Sequence, residues 1–179
     1  MALFYLVRHG EADYSHLLEN GFFGFGRDFA PLSKIGIEQA EKAAKDQRLK
    51  SARIIVSSPY SRALQTAAII SRETGLKLCV EVDLHEWIPD KTNQYKTSEE
   101  AFALTNEFYE NKGLYPNGQQ LKWETLDEVR KRMQRVVEKY AGYEKTILVG
   151  HSMAFGALTN TDDMNPAEII EWEKNNRVE

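Results

Sequence analysis

Four short runs of β-branched and aromatic apolar residues, at 3–7, 53–57, 77–82 and 146–149, constrain the fold of this chain more than any other feature. Their apolarity is continuous rather than alternating, so strands built from them need cover on both faces, as strands inside a parallel sheet do. Segments with helical spacing of apolar residues stand between them, and alternating strand and helix is the pattern of an α/β layer fold. At 179 residues the chain is long enough for one domain with a true core and short for two. No repeat, low-complexity tract or Pro/Gly/Ser linker divides it, so one domain over 1–179 is expected.

Local signals give the helix boundaries. Ser33 is placed to cap a helix carrying Ile37, Ala40 and Ala44 on one stripe, and Ser58 followed by Pro59 predicts a helix start, with the stop at Gly75. Thr97 with Glu100, and Thr125 with Glu128, have capping-box spacing ahead of apolar stripes, and Gly113 and Gly142 stand where those helices stop. Residues 166–172 read as a short helix, and residues 177–179 carry no signal. The apolar start at 1–7 is too short for a signal-peptide core or a membrane span.

Composition narrows the function classes. A formal net charge of −4 argues against a broad cationic surface for nucleic acid or anionic lipid, so neither nucleic acid nor membrane is an expected partner. The single cysteine, Cys79, can form no internal disulfide and no Cys-rich zinc site, and a cytoplasmic address fits. No residue cluster suits zinc or magnesium, and no metal or other cofactor is expected. Nothing in the residues fixes an oligomeric state.

The chemistry concentrates at strand ends. Arg8-His9-Gly10 falls at the carboxyl end of the first strand and Gly150-His151-Ser152 at that of the fourth, the edge where open α/β sheets bind ligands. Arg62, in the first turn of the helix after the second strand, can reach the same edge. Phosphoryl transfer is assisted mainly by positioning and fixed positive charge, which Arg8 and Arg62 supply as planar forks of donors. His9 can act as nucleophile if neutral, a state that two guanidinium groups favour, and the product would be a phosphohistidine. His151, if protonated, adds a donor to the equatorial oxygens. Glu86 is the candidate acid for the departing alkoxide, and its carboxylate can then draw a proton from the attacking water. Small phosphorylated molecules, and phosphate itself, are the ligands such a pocket takes.

Each fragment alone is common; their order is not. Leu6-Val7-Arg8-His9-Gly10-Glu11, Pro31-Leu32-Ser33 with Gly36 and Gln39-Ala40, Ser57-Ser58-Pro59 with Arg62-Ala63 and Thr66-Ala67, Leu84-His85-Glu86, and Val149-Gly150-His151-Ser152 together resemble the histidine phosphatase superfamily. The similarity is to the branch with cofactor-dependent phosphoglycerate mutases and broad-specificity phosphatases. It implies a three-layer α/β/α sandwich around a mainly parallel sheet, His9 as nucleophile, Arg8, Arg62 and His151 around the phosphate, and Glu86 as proton donor. It also implies that residues 88–124 partly cover the site, with Tyr95, Phe102, Phe108 and Trp123 as core or lid packing.

Three departures from the family pattern stand out. Ser15 occupies the place of a phosphate-holding asparagine, Glu86 is followed by Trp87-Ile88-Pro89-Asp90 where glycolytic mutases have an Arg-His-Tyr-Gly type run, and Lys122-Trp123-Glu124-Thr125 replaces a Gly-Gly-Glu-Ser stretch. Residues 21–26, rich in glycine and phenylalanine, read as a mobile loop over the site rather than a nucleotide loop. Metal-independent hydrolysis of phosphomonoesters is the leading expectation. The competing ones are a phosphohistidine protein phosphatase, a phosphoglycerate mutase and a catalytically silent phosphate-binding module; the altered run after Glu86 counts against the mutase, and Glu86 itself against the phosphohistidine phosphatase.

Overall fold

The computed structural model describes residues 2–161 and 163–174. Five strands form one sheet in the order β3-β2-β4-β1-β5: β1 (Leu3–Arg8), β2 (Ile54–Ser57), β3 (Leu78–Val80), β4 (Lys145–Gly150) and β5 (Ile169–Glu173). The first four are mutually parallel and β5 runs antiparallel on the β1 edge. Successive side chains of a strand point to opposite faces, and both faces here are buried. Phe4, Leu6, Val56 and Leu148 meet α5 (Leu126–Tyr140) and α6 (Ser152–Thr159) on one side. Tyr5, Val7, Ile55 and Ile147 meet α3 (Ser61–Thr74) and the end of α2 (Lys34–Ala44) on the other. That two-sided burial is why the strand sequences are apolar without a break, and it makes the mainly parallel three-layer arrangement. Among the described residues, no helix is long and apolar enough to cross a membrane.

Ser33 accepts from the Gly36 amide at the start of α2, and Gly75, with φ of 71°, ends α3 in the left-handed conformation that a side chain disfavours. Thr125 and Glu128 form both halves of a capping box on α5. At α4 (Ser98–Glu110) Thr97 caps as expected, but the Glu100 carboxylate reaches past it to the Lys96 amide.

Two expectations are corrected. The helix after β2 starts at Ser61 with Tyr60 at its cap, because the Ser58 hydroxyl is engaged by His151. Residues 166–172 do not make a helix. Pro166 and Ala167 form a turn, and Ile169 to Glu173 pair with β1, placing Trp172 opposite Phe4 with ring centroids 5.8 Å apart. The β-branched Ile169 and Ile170 suit a strand, and pairing satisfies the edge groups of β1 that a helix would leave open. The segment at 177–179 lies outside the described residues.

Candidate active site

Register brings the two histidines together. β1 and β4 are paired with Arg8 opposite Gly150, so the next residues, His9 and His151, leave the sheet side by side with ring centroids 5.1 Å apart. A one-residue slip would send one of them to the opposite face. The turn after His9 is held by residues spread through the amino-terminal half. The Gly10 amide donates to Thr66 Oγ1 at 3.1 Å, the Glu11 amide to Gln39 Oε1 at 2.8 Å, and Ser33 Oγ to the Glu11 carboxylate at 2.7 Å. Gly10 and Gly36 are where this turn crosses the start of α2; a Cβ on Gly10 would lie 2.3 Å from the Gly36 carbonyl oxygen, and one on Gly36 2.0 Å from that of Glu11. These motif glycines are therefore demanded by close backbone approach.

The His9 ring is locked in one tautomer. Its Nδ1 lies 2.7 Å from the Gly10 carbonyl oxygen, which can only accept, so Nδ1 carries the proton and Nε2 presents a lone pair. Arg62 Nε donates to that lone pair at 3.1 Å. Burial, then the Arg62 guanidinium, and least of all Arg8, push the His9 pKa down to about 3, against the opposing pull of the Gly10 carbonyl. Arg62 Nη2 lies 3.4 Å from His151 Nδ1, and a guanidinium can only donate. His151 Nε2 therefore carries the ring proton and faces Ser58 Oγ at 2.8 Å. Burial and then Arg62 hold the His151 pKa well below its ordinary value, so without an anion this ring is neutral. Arg62, 5% exposed, retains a buried Nη1 with no hydrogen-bond partner.

Glu86 follows the short turn after β3 and lies against the amino terminus of α6. Its Oε1 accepts from the Trp87 and Ala154 amides at 2.8 and 3.0 Å, and its Oε2 from Met153 at 3.3 Å, doing the capping that the His151 side chain does not. Burial pushes its pKa up, while those amides and Arg62 oppose the rise. Glu86 and Arg62 share a cleft of about 310 Å³ whose walls include Tyr14, Asp28, Tyr60 and Phe102. A second cavity, of about 430 Å³, lies beyond Trp87 between α4, α5 and α6.

The structure thus sets His9 and His151 against Arg62, which with Glu86 lines the cleft. Arg8 stands apart: its guanidinium donates to the Met164 carbonyl, and its Nε is buried without a partner. Ser15 bonds Asp13 instead of turning toward the histidines. The loop at 21–26 leads into a 3-10 turn, Gly24–Phe29, that carries Asp28 to the cleft. Sequence reading missed Tyr60, whose ring lies 5.1 Å from both Arg62 and the His151 ring and which lines the cleft with Asp28. Burial pushes Asp28 up to about 6. The available signal was adjacency to Arg62, and it does not reveal a partner thirty-odd residues away. Among the described residues, no group of three or more His, Cys, Asp or Glu is placed to hold a metal ion.

Comparison with known proteins agrees with this architecture. Residues 4–176 match the family model for the histidine phosphatase superfamily (branch 1). Proteins named probable phosphoglycerate mutase GpmB are similar over most of their length. The one from Photorhabdus laumondii is 30% identical over 166 residues, covering 88% of this chain and 73% of its own. The one from Proteus mirabilis is 31% identical over 165 residues, with the same coverage. Among solved structures, a mycobacterial glucosyl-3-phosphoglycerate phosphatase with VO3 superposes with a TM-score of 0.74 at 22% identity, covering 96% of this chain and 90% of the other. Bacillus stearothermophilus YhfR gives 0.71 at 20%, covering 98% and 93%. With the family model spanning nearly the whole chain, this protein belongs to the histidine phosphatase superfamily, branch 1.

Proposed function

We propose that this protein is a metal-independent phosphatase that hydrolyses small phosphomonoesters through a phosphohistidine on His9, acting in the cytoplasm. The observation that carries the reading is the proton-free Nε2 of His9, held against a guanidinium that keeps one buried donor unspent. A side chain meant only for packing has no need of a cation beside its lone pair. A phosphoryl group entering there meets a nucleophile and positive charge together.

In the first half-reaction His9 Nε2 attacks phosphorus and the bond to the ester oxygen breaks. Glu86, protonated, gives its proton to the departing alkoxide. In the second, water attacks the phosphohistidine, the Glu86 carboxylate takes a proton from that water, and the P–N bond returns its electron pair to Nε2. Arg62 stabilises the equatorial oxygens in both steps, with Arg8 contributing charge from farther off. His151 joins as a donor once the anion's charge raises its proton affinity. Residues 88–124 form the lid of a single domain in this reading, since Ile88, Tyr95 and Phe102 line the cleft.

The test is a substrate panel of sugar phosphates, phosphoglycerates, nucleotides and phosphohistidine protein, combined with alkaline-quench trapping of the base-stable, acid-labile phosphoenzyme. Phosphate release from small esters with label on His9 is expected. Interconversion of phosphoglycerates without release would replace hydrolysis by mutase chemistry, and absence of any label would remove the covalent step.

A further inference from the structure

The acidic residue of the 122–125 stretch plays no part in the chemistry above, yet it is almost sealed in the protein. Glu124 is 6% exposed and Arg132 3%, and they form a two-pronged ion pair, Nε to Oε1 at 2.7 Å and Nη2 to Oε2 at 3.0 Å. A buried ion pair is a poor source of stability, because desolvation offsets its attraction and apolar residues of the same volume often serve as well. What distinguishes this pair is where its remaining bonding capacity goes. Arg132 Nη1 donates to the Asp83 and His85 carbonyl oxygens, both at 2.7 Å, immediately before Glu86. Beyond Glu86, the Trp87 indole donates to the Glu124 carbonyl oxygen at 2.6 Å, the Glu124 amide donates to the Ile88 carbonyl at 2.9 Å, and the Ile88 amide reaches Glu124 Oε2 at 3.4 Å. Thr125 caps α5, which fixes the helix that carries Arg132.

Glu86 is thus flanked by the Arg132 guanidinium on one side and by the Glu124 main chain and carboxylate on the other, while its own carboxylate is anchored to the amino terminus of α6. We infer that Glu124 and Arg132 are positioning residues whose task is to hold the Glu86 carboxyl where it can protonate the leaving oxygen. The inference rests on Glu86 being the acid, and it makes a claim that a purely structural role does not. Damage to the pair should be felt in proportion to how much the leaving group needs a proton.

The experiment measures kcat/KM, which ends at formation of the phosphoenzyme and so leaves out the water-activation step shared by all substrates, on p-nitrophenyl phosphate, whose phenolate leaves unaided, and on glycerol 1-phosphate, whose alkoxide does not. Glu86→Gln should cost about 100-fold on glycerol 1-phosphate and less than about fivefold on p-nitrophenyl phosphate. Glu124→Gln should repeat that selectivity at about tenfold against about twofold, and adding it to Glu86→Gln should cost nothing further on either substrate. Should Glu124→Gln not fold by circular dichroism, Arg132→Lys replaces it, keeping the charge and losing the reach to two carbonyls. Equal losses on both substrates, or losses that add to those of Glu86→Gln, overturn the positioning role, as does failure of both variants to fold. A Glu86→Gln enzyme that treats the two substrates alike fails differently: it removes the acid itself, and the pair's role with it.

Discussion

His9, Ser58, Arg62 and His151 lie within 0–8% exposure and are linked by hydrogen bonds to one another, whereas Phe25 and Phe102, on the wall of the adjoining cleft, are 60% and 64% exposed. The floor is supplied by the ends of β1, β2 and β4 and the first turn of α3; the walls come from the 14–29 connection and from residues 87–105. Floor positions are fixed by sheet register and by glycine contacts with no room for a Cβ, so they admit almost no variation. Wall positions are held by a few side-chain contacts and tolerate change. The difference teaches that reaction and selectivity are written in separate parts of the chain, and each expected outcome below strains that separation at a different point.

The largest effect belongs to the nucleophile. His9→Ala should lower turnover by at least about four orders of magnitude on every substrate, because it removes the nitrogen that takes the phosphoryl group. His151 also has an unprotonated Nδ1 beside Arg62, but its ring is fully buried where that of His9 is 8% exposed. Single-turnover assays with alkaline-quench labelling check this, and residual label in the variant would place the covalent step elsewhere. Arg62→Ala should follow with about a 100- to 1,000-fold loss in kcat/KM. It should also abolish the rise in Tm that inorganic phosphate or vanadate gives the parent protein, a ligand effect of about 2–3 kcal/mol at saturating concentration.

The pH dependence comes next. The nucleophile must be neutral, and with the His9 pKa pushed down to about 3 the rate should fall on the acid side only near that value. Glu86 must be protonated to assist the leaving group, and burial raises its pKa, so activity on alkyl esters should decline as pH climbs through the raised carboxyl pKa. With p-nitrophenyl phosphate the alkaline limb should flatten. Stability follows its own sign. His9 and His151 bind protons less readily folded than unfolded, so they withdraw stability as pH drops below about 6.5, and for His9 down to about 3. Thermal melts between pH 7 and 4 should show a shallower decline in His9→Asn, and an equal decline would mean the ring is not held neutral.

How much of this was legible before any coordinates follows the same division. The four parallel strands, the α2 and α5 caps and the meeting of His9 and His151 at Arg62 could be read because each depends on a few neighbouring residues or on one strand end. Ser58 misled, since a serine before proline looks like a cap and only the tertiary fold gives its hydroxyl to His151. Residues 166–172 misled because a short apolar run fits helix and strand alike, and the open edge of β1 decided between them. Asp28 and Tyr60 on one cleft, and Arg132 on the carbonyls around Glu86, bring together residues 32 to 49 positions apart with no local pattern to announce them.

The smallest effect is the sharpest test of the division between floor and walls. Phe102 sits on α4, 64% exposed, with its ring on the wall of the cleft. Little buried area is lost on truncation, so Phe102→Ala should change stability by no more than about 0.5 kcal/mol. Water attacking the phosphohistidine needs no contact with the departed alcohol, so the rate of that step should match the parent enzyme within about twofold. Only KM for esters with a bulky alcohol should move, by a few-fold, because uniform binding is all a wall contact supplies. Rapid-quench measurement of dephosphorylation beside steady-state KM separates the two. A tenfold slower dephosphorylation in this variant would mean that the exposed wall helps to order the attacking water, and the walls would then belong to the reaction as much as the floor does.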